Sequence, residues 1–269
     1  MLNNELKYYE QNVLWSNNYL NLPGERIRIK NAIDLIPHDV KSILDVGCGN
    51  GVLINNIPDH IYKVGVDFSK SALRHVVTDK IQGGAENIPV KSDSFDLVTC
   101  MEVLEHLSFE GYKKAINEIQ RISKKYILIT VPNNENLKKS LVVCRNCFCH
   151  FNPNRHTRNF NEISLNSLFI AYSMISCNEI GPIVEYRNYP DRILSIYSGW
   201  KKPVPPNTAL CPQCGYQLNE NNSIRNVNPY HTKQKYTFKK YFVNLLFPVR
   251  FKSRWLIALY ERKSNETKI

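Results

Sequence analysis

No apolar run in this chain approaches the roughly 18 residues that a membrane-spanning helix needs. The first residues, Met1-Leu2-Asn3-Asn4-Glu5-Leu6-Lys7, have neither the basic start nor the apolar stretch of a secretory signal, so a cytoplasmic location is expected. Neither a G-x-x-x-x-G-K-[ST] phosphate loop nor a G-x-G-x-x-G dinucleotide fingerprint is present. Negative charge is the scarcer sign: 24 Asp and Glu stand against 35 Lys and Arg, a net charge of +11. The imbalance is local. Residues 41–110 carry six basic and ten acidic side chains, whereas residues 232–269 carry ten and two. The basic end suits phosphate-rich surroundings: an anionic membrane face, a nucleotide- or lipid-linked substrate, or nucleic acid. A solvated surface that aids solubility is the alternative.

What is present begins with Ser42-Ile43-Leu44-Asp45-Val46-Gly47-Cys48-Gly49-Asn50-Gly51. An apolar strand runs into a turn with glycine at every second position, and such a turn lets backbone approach a ligand closely. No Lys-Ser or Lys-Thr follows to hold a nucleotide phosphate. Asp45 closes the strand, where a carboxylate suits an amine or hydroxyls better than a pyrophosphate. The ligand implied is a nucleoside with a positive or zwitterionic tail. At 269 residues and 43% apolar content, the chain suffices for one large α/β domain with an insertion. Strands are expected near 42–46, 62–66, 79–83, 95–100 and 125–131, with helices near 25–35, 50–57, 69–77 and 109–122. This alternation predicts a parallel sheet. Ligands of such sheets gather at the carboxyl ends of strands, and Asp45, Asp67 and Cys100 all fall there. Beyond Pro132 the pattern weakens, with a helix expected over 163–174, a strand over 175–180 and a last strand near 254–260. Tyr236–Phe251 reads either as a core-facing helix or as an amphipathic surface helix.

The glycine turn resembles motif I of the class I S-adenosylmethionine-dependent methyltransferases, and the resemblance continues in order. Tyr62-Lys63-Val64-Gly65-Val66 ends in Asp67, Gly83 to Pro89 resembles the adenine-side loop, and Ser94 to Val98 resembles the start of the fourth strand. Cys100 to Leu107 follows it. The resemblance implies a Rossmann-like α/β fold, a mostly parallel sheet of order 3-2-1-4-5-7-6 with the last strand antiparallel and helices on both faces. It implies S-adenosylmethionine as cofactor, held by Asp45, Gly47, Cys48, Gly49, Gly51, Asp67 (through the ribose), Phe68, Ala85, Glu86 and Cys100. Many family members carry an acid where Gly84 stands, which leaves the Ala85 N–H and Glu86 for the adenine edge. Cys48 and Cys100 read as small hydrophobes rather than as reactive thiols.

His106 follows the fourth strand on the rim where an acceptor should meet the methyl group, and it is the leading base candidate. Glu102, Glu105 and His106 resemble the E-x-x-E-H segment of quinone-biosynthesis O-methyltransferases, which implies a divalent cation such as Mg²⁺ at those three residues. Packing and capping of the next helix is the other reading. Tyr8, Tyr9 and Trp15 could line the acceptor pocket from an N-terminal helical cap over residues 1–40, or pack as core. His156 and Arg158 form an H-x-R-x-F motif like that of some bacterial methyltransferases; alternate in sequence, they would face the same way in an extended segment and bind an anionic or hydroxylated acceptor, or else anchor a loop.

Cys144-Arg145-Asn146-Cys147 and Cys211-Pro212-Gln213-Cys214-Gly215 are two C-x-x-C knuckles among eight cysteines. In a reducing compartment such pairs read as metal ligands before disulfides. Together they make a closed Cys₄ zinc site of structural role, with Cys149, His150 and His156 as replacement ligands. The site would join insertions at about 133–160 and 183–232 within a catalytic domain over 41–269. The expected activity is methyl transfer to a small-molecule or glycan- or lipid-linked acceptor at oxygen. No N-P-P-[YF] motif for amino-group methylation follows the fourth strand. An RNA or protein methyltransferase, or a non-catalytic zinc-containing S-adenosylmethionine-binding module, are the alternatives.

Overall fold

A computed structural model describes residues 2–15, 19–138, 140–186, 209–217 and 250–264. Helices α1 (Leu2–Tyr9), α2 (Asn12–Trp15) and α3 (Pro23–Asp34) precede the sheet. Strands β1 (Ser42–Val46) and β2 (Tyr62–Asp67) are followed by the short α4 (Lys70–Leu73), β3 (Asp79–Gln82), β4 (Phe95–Met101), α5 (Phe109–Ile122) and β5 (Ser123–Pro132). The two-residue strands β6 (Val142–Val143) and β7 (His150–Phe151) pair as a separate ribbon. Helix α6 (Glu162–Asn166) leads into β8 (Tyr172–Tyr186), and β9 (Arg250–Arg262) closes the sheet.

The seven-stranded order is β3-β2-β1-β4-β5-β9-β8. Pairings among β1 to β5 are parallel, and β9 runs antiparallel to both its neighbours. Counted within this sheet alone, the order is the 3-2-1-4-5-7-6 of a class I methyltransferase. Side chains alternate across each strand. Leu44, Val98, Cys100, Ile127 and Ile129 face a core completed by Ala115, Ile116, Ile119 and Ile122 of α5. Ile43, Leu97 and Leu128 face the opposite core, completed by Ile29 and Ala32 of α3. Being covered on both faces, the central strands read as nearly continuous apolar runs. Helix α5 starts where Ser108 Oγ accepts the Gly111 N–H at 3.1 Å, and its apolar side chains recur at helical spacing.

Three expected helices are shortened. Over 50–57 the chain makes turns and a single 3₁₀ turn, Ile54–Asn56. Gly51 there has φ +81°, and the Asn55 side chain reaches out to the His75 carbonyl and the Val77 N–H. Helix α4 ends at Leu73, ahead of the β-branched Val76-Val77-Thr78. The helix expected over 163–174 ends at Asn166, and from Tyr172 the chain is strand. Strand β8 therefore exceeds the 175–180 expected, and residues 183–186, expected to open the insertion, belong to the strand. Of the helix considered for 236–251, residues 236–249 lie outside the described residues, and Arg250 and Phe251 belong to β9. Most of the basic 232–269 segment and of the 183–232 insertion also lies outside them. Among the described residues no helix is long and apolar enough to cross a membrane.

Candidate active site

The carboxyl ends of β1, β2 and β4 open onto a cavity of about 1080 Å³. Gly47, Gly49 and Gly51 all have positive φ, at 70°, 54° and 81°. At Gly47 a Cβ would lie 2.3 Å from Val103 Cγ2, so only glycine keeps the turn this close to the chain after β4. The N–H groups of Gly47 and Cys48 donate to the Val66 carbonyl at 2.7 and 3.0 Å, fastening the turn to β2. Asp67, buried at the end of β2, accepts the Gly49 N–H at 2.9 Å and the Ser69 N–H at 2.8 Å. Asp45 accepts the Thr99 hydroxyl at 2.6 Å, and burial pushes its carboxyl up to about 7.

Asp45, Gly47, Cys48, Gly49, Asp67, Phe68, Ala85 and Glu86 line this cavity. Gly51 and Cys100 do not. Gly51 shapes the turn from behind, next to Asn55. Cys100 is wholly buried in the α5-side core because strand alternation turns it there, and Met101 takes the lining position.

Tyr9 and Trp15 cover the cavity from the N-terminal helices. The Tyr9 ring stands edge-on to Phe68 at 5.2 Å between centroids and to His106 at 6.1 Å. Tyr8 does not line the cavity; its ring lies under the Arg155 guanidinium, 4.9 Å away. The far end carries His106 and His156, with ring centroids 4.8 Å apart. Glu135 holds His156 Nδ1 in a short hydrogen bond. Arg158 leaves the cavity: it donates to the Leu104 and Ser108 carbonyls and stacks on Tyr112 at 4.3 Å. Thr157 donates its N–H (2.8 Å) and hydroxyl (3.0 Å) to the Glu105 carbonyl. The motif thus splits: His156 serves the cavity, and its neighbours clamp the chain that follows β4.

Glu102 sits at φ +56°, its carboxyl facing the Arg28 guanidinium and the Thr130 hydroxyl. Glu105 lies fully buried just behind the lining. Burial raises the carboxyls of both, and it pushes the His106 imidazole down to about 3. An imidazole so hard to protonate is a weak general base on its own. The sequence reading missed Arg28, Glu25 and Glu135. Arg28 had a signal: it lies within the stripe of α3 that also buries Ile29 and Ala32, a place where an unpaired guanidinium would be costly.

The two knuckles meet outside the cavity. One sulfur from each of Cys144, Cys147, Cys211 and Cys214 lies within 4.8 Å of all the others, and two of the spacings are 3.7 and 3.6 Å. Tetrahedral zinc with bonds of about 2.3 Å sets its sulfurs about 3.8 Å apart, so the donor set fits the metal. Burial raises the Cys211 thiol, but the Cys214 N–H, the Cys149 thiol and the Gln213 N–H outweigh it and hold the thiol at about 6. Cys149 Sγ touches Cys211 Sγ at 3.2 Å without joining the four. Phe148 and Gly215, each directly after a knuckle, occupy the same left-handed region at φ 59° and 69°. That conformation strains an exposed phenylalanine. Phe148→Gly is expected to raise the stability of the zinc-loaded protein by about 1 kcal/mol in chemical denaturation, because relief of strain exceeds the added chain entropy. An unchanged or lower midpoint counts against that strain.

The fold and this site define the class. A strand order of 3-2-1-4-5-7-6, a glycine turn after β1 and an acid closing β2 are those of a class I S-adenosylmethionine-dependent methyltransferase. The methyltransferase domain family matches residues 44–128. An uncharacterized protein of Methanocaldococcus jannaschii is 30% identical over 168 residues, covering 57% of this chain and 71% of that protein. A ubiquinone biosynthesis O-methyltransferase of Ralstonia nicotianae is 37% identical over 78 residues, covering 25% of this chain and 33% of the enzyme. The chain thus spans only about a third of that relative's length. A solved SAM-dependent methyltransferase of Thermotoga maritima superposes with a TM-score of 0.51 at 14% identity, covering 96% of this chain and 99% of that one. The chain belongs to the class I S-adenosylmethionine-dependent methyltransferases.

Proposed function

We propose that the protein methylates an oxygen nucleophile on a small-molecule or glycan- or lipid-linked acceptor. One observation carries the reading: a single cavity joins the glycine turn and Asp67 to the imidazoles of His106 and His156, under a roof of Tyr9 and Trp15. Bound S-adenosylmethionine supplies a sulfonium methyl group for in-line displacement. Asp67 would take the ribose hydroxyls, Asp45 the ammonium end, and the Ala85 N–H with Glu86 the adenine edge. The aromatic roof excludes water, and much of the rate comes from holding nucleophile and methyl carbon in line. At the far end the imidazoles of His106 and His156, the latter oriented by Glu135, line the space for an acceptor hydroxyl. The absence of N-P-P-[YF], with Cys100-Met101-Glu102-Val103 in its place, favours oxygen over an amino group. The O-methyltransferase name of the Ralstonia relative agrees. We infer also that Cys144, Cys147, Cys211 and Cys214 hold a structural zinc ion.

Calorimetric titration with S-adenosylmethionine and its demethylated product at pH 6 and pH 8 tests the reading. The free Asp45 carboxyl, held at about 7, is mostly protonated at pH 6 and ionised at pH 8. Binding the ammonium selects the carboxylate, so affinity rises with pH through the free-protein value and levels off above it. Affinity at pH 6 should be about tenfold below that at pH 8, the span a group of that pKa produces. Asp45→Asn should remove this dependence. No binding of either ligand up to millimolar concentration overturns the enzyme reading.

A further inference from the structure

The far end of the cavity contains donors that the protein leaves unsatisfied. One ligand atom from each of Glu105, His106 and His156 lies within 4.8 Å of the others. Glu105 is fully buried, yet neither carboxylate oxygen meets a hydrogen-bond donor, and His106 Nδ1 also lacks a partner. Buried polar atoms are almost always paired, so three orphans in one spot call for a partner that is not protein. Charge points the same way. The carboxylates of Glu25, Glu102, Glu105 and Glu135 converge on this region, and Arg28, Lys252 and Arg254 are the cationic side chains among the described lining of the cavity.

We propose that Glu105, His106 and His156 bind a divalent first-row transition-metal ion. This is not the set the sequence implied. Glu102 faces Arg28 and lies outside the group of converging ligand atoms, and its place is taken by His156, 54 residues further on. The exchange alters the chemistry. Mg²⁺ is held by carboxylates, phosphates and water, whereas two imidazoles and one carboxylate suit Mn²⁺, Fe²⁺, Co²⁺ or Zn²⁺. The surroundings are those of a ligand site. Glu135 on His156 Nδ1 leaves Nε2 as the nitrogen available to an ion, the carboxylate–histidine pairing that orients metal ligands. Thr157 and Arg158 lock the His156 strand to the backbone of residues 104–108, so all three donors are carried on one clamped unit. A three-donor set leaves coordination positions open towards the cavity. A hydroxyl bound there would lose its proton more readily; that role rests on the O-methylation reading, whereas metal binding itself does not.

Mn²⁺ is the probe, because thiolates select softer ions and the knuckle site will not compete for it. The full chain is stripped by chelation, reloaded with zinc at the thiolates, and titrated with Mn²⁺ while free ion is read by electron paramagnetic resonance. The expected result is about one bound Mn²⁺ per chain, not displaced by millimolar Mg²⁺. His156→Ala and Glu105→Gln should each weaken binding by at least about tenfold, the loss that removing even an outer partner causes. Circular dichroism checks that each variant is folded; if Glu105→Gln is not, His156→Gln, at the more accessible ligand, decides. No Mn²⁺ binding up to millimolar concentration, or equal binding by the His156 variants, overturns the site. Binding of S-adenosylmethionine measured on the same samples reports separately on the methyltransferase reading.

Discussion

Asp67→Ala is expected to weaken S-adenosylmethionine binding by about 10²- to 10³-fold in calorimetry while leaving the sheet intact. In the protein the two carboxylate oxygens already organise the site: one accepts the Gly49 N–H at 2.9 Å, the other the Ser69 N–H at 2.8 Å. The side chain therefore holds the glycine turn against the start of α4 before any ligand arrives. In the proposed complex the remaining lone pairs take the ribose hydroxyls. Hydrogen bonds to a charged group contribute about 1.5–3 kcal/mol each, so the loss of two at the lower end of that range comes to roughly 3–4 kcal/mol and the stated fold-change. Asp67→Asn should fall between the two. It keeps one acceptor oxygen but sets an amide NH₂ against a backbone N–H. Both variants should retain their helical and sheet content, since Asp67 lies at the rim of the sheet rather than between its apolar faces. Wild-type affinity in Asp67→Ala would exclude the ribose role.

The ends of β1 and β2 and helix α5 could be read from the chain because each rests on a local repeat; the order of the sheet followed only from the resemblance to class I methyltransferases. Ser42–Val46 and Tyr62–Asp67 are short apolar runs with an acid at or next to the end, and Ala115, Ile116, Ile119 and Ile122 recur at helical period. Where a second influence competes with the repeat, the reading fails. Residues 50–57 have apolar positions compatible with a helix, but a left-handed glycine and the outward bonds of Asn55 cut it to one 3₁₀ turn. Residues 163–174 read as one helix, but it stops at Asn166, residues 167–171 turn, and pairing with β9 makes Tyr172–Met174 strand. At the site, Cys100 was placed correctly at a strand end, yet alternation along β4 turns its side chain into the core. The juxtaposition of His106 with His156 had no local signature at all. It depends on the Thr157 and Arg158 hydrogen bonds to the chain after β4, contacts between residues some 50 positions apart. Both histidines were nominated from their motifs, but their meeting belongs to tertiary structure.

Cys211→Ser is expected to reduce bound zinc from about one equivalent to nearly none and to lower methyl transfer by at least about tenfold, with the sheet over 42–132 still folded. The unit formed by the two knuckles has a very small apolar cluster, built on Val142, Cys144, Phe151, Ala209 and Cys211. A core of that size does not hold two chain segments together without a staple. Apparent binding free energies of structural zinc, on the order of 10–16 kcal/mol, are ample for it. Cys211 is the sensitive position: its sulfur is fully buried and lies 3.6 Å from that of Cys147. Activity follows because the knuckle unit braces the roof of the cavity. Asn4 Nδ2 donates to the Pro212 carbonyl at 2.9 Å, Gln217 Nε2 to Gln11 Oε1 at 2.7 Å, and Arg155 to the Leu210 carbonyl at 2.8 Å while covering Tyr8. Through these bonds the ion would fix α1, and α1 carries Tyr9 over the space between Phe68 and His106. Amide hydrogen exchange should therefore quicken in residues 2–15, 142–155 and 209–217 and stay unchanged in β1, β4 and β5. Cys149→Ser is the matched control. Its sulfur touches Cys211 but stands outside the four, so zinc and exchange rates should be retained. Zinc below about half an equivalent in the wild type, or zinc kept by Cys211→Ser, removes the staple. Loss of zinc with unchanged exchange in residues 2–15 keeps the metal but cuts its link to the roof.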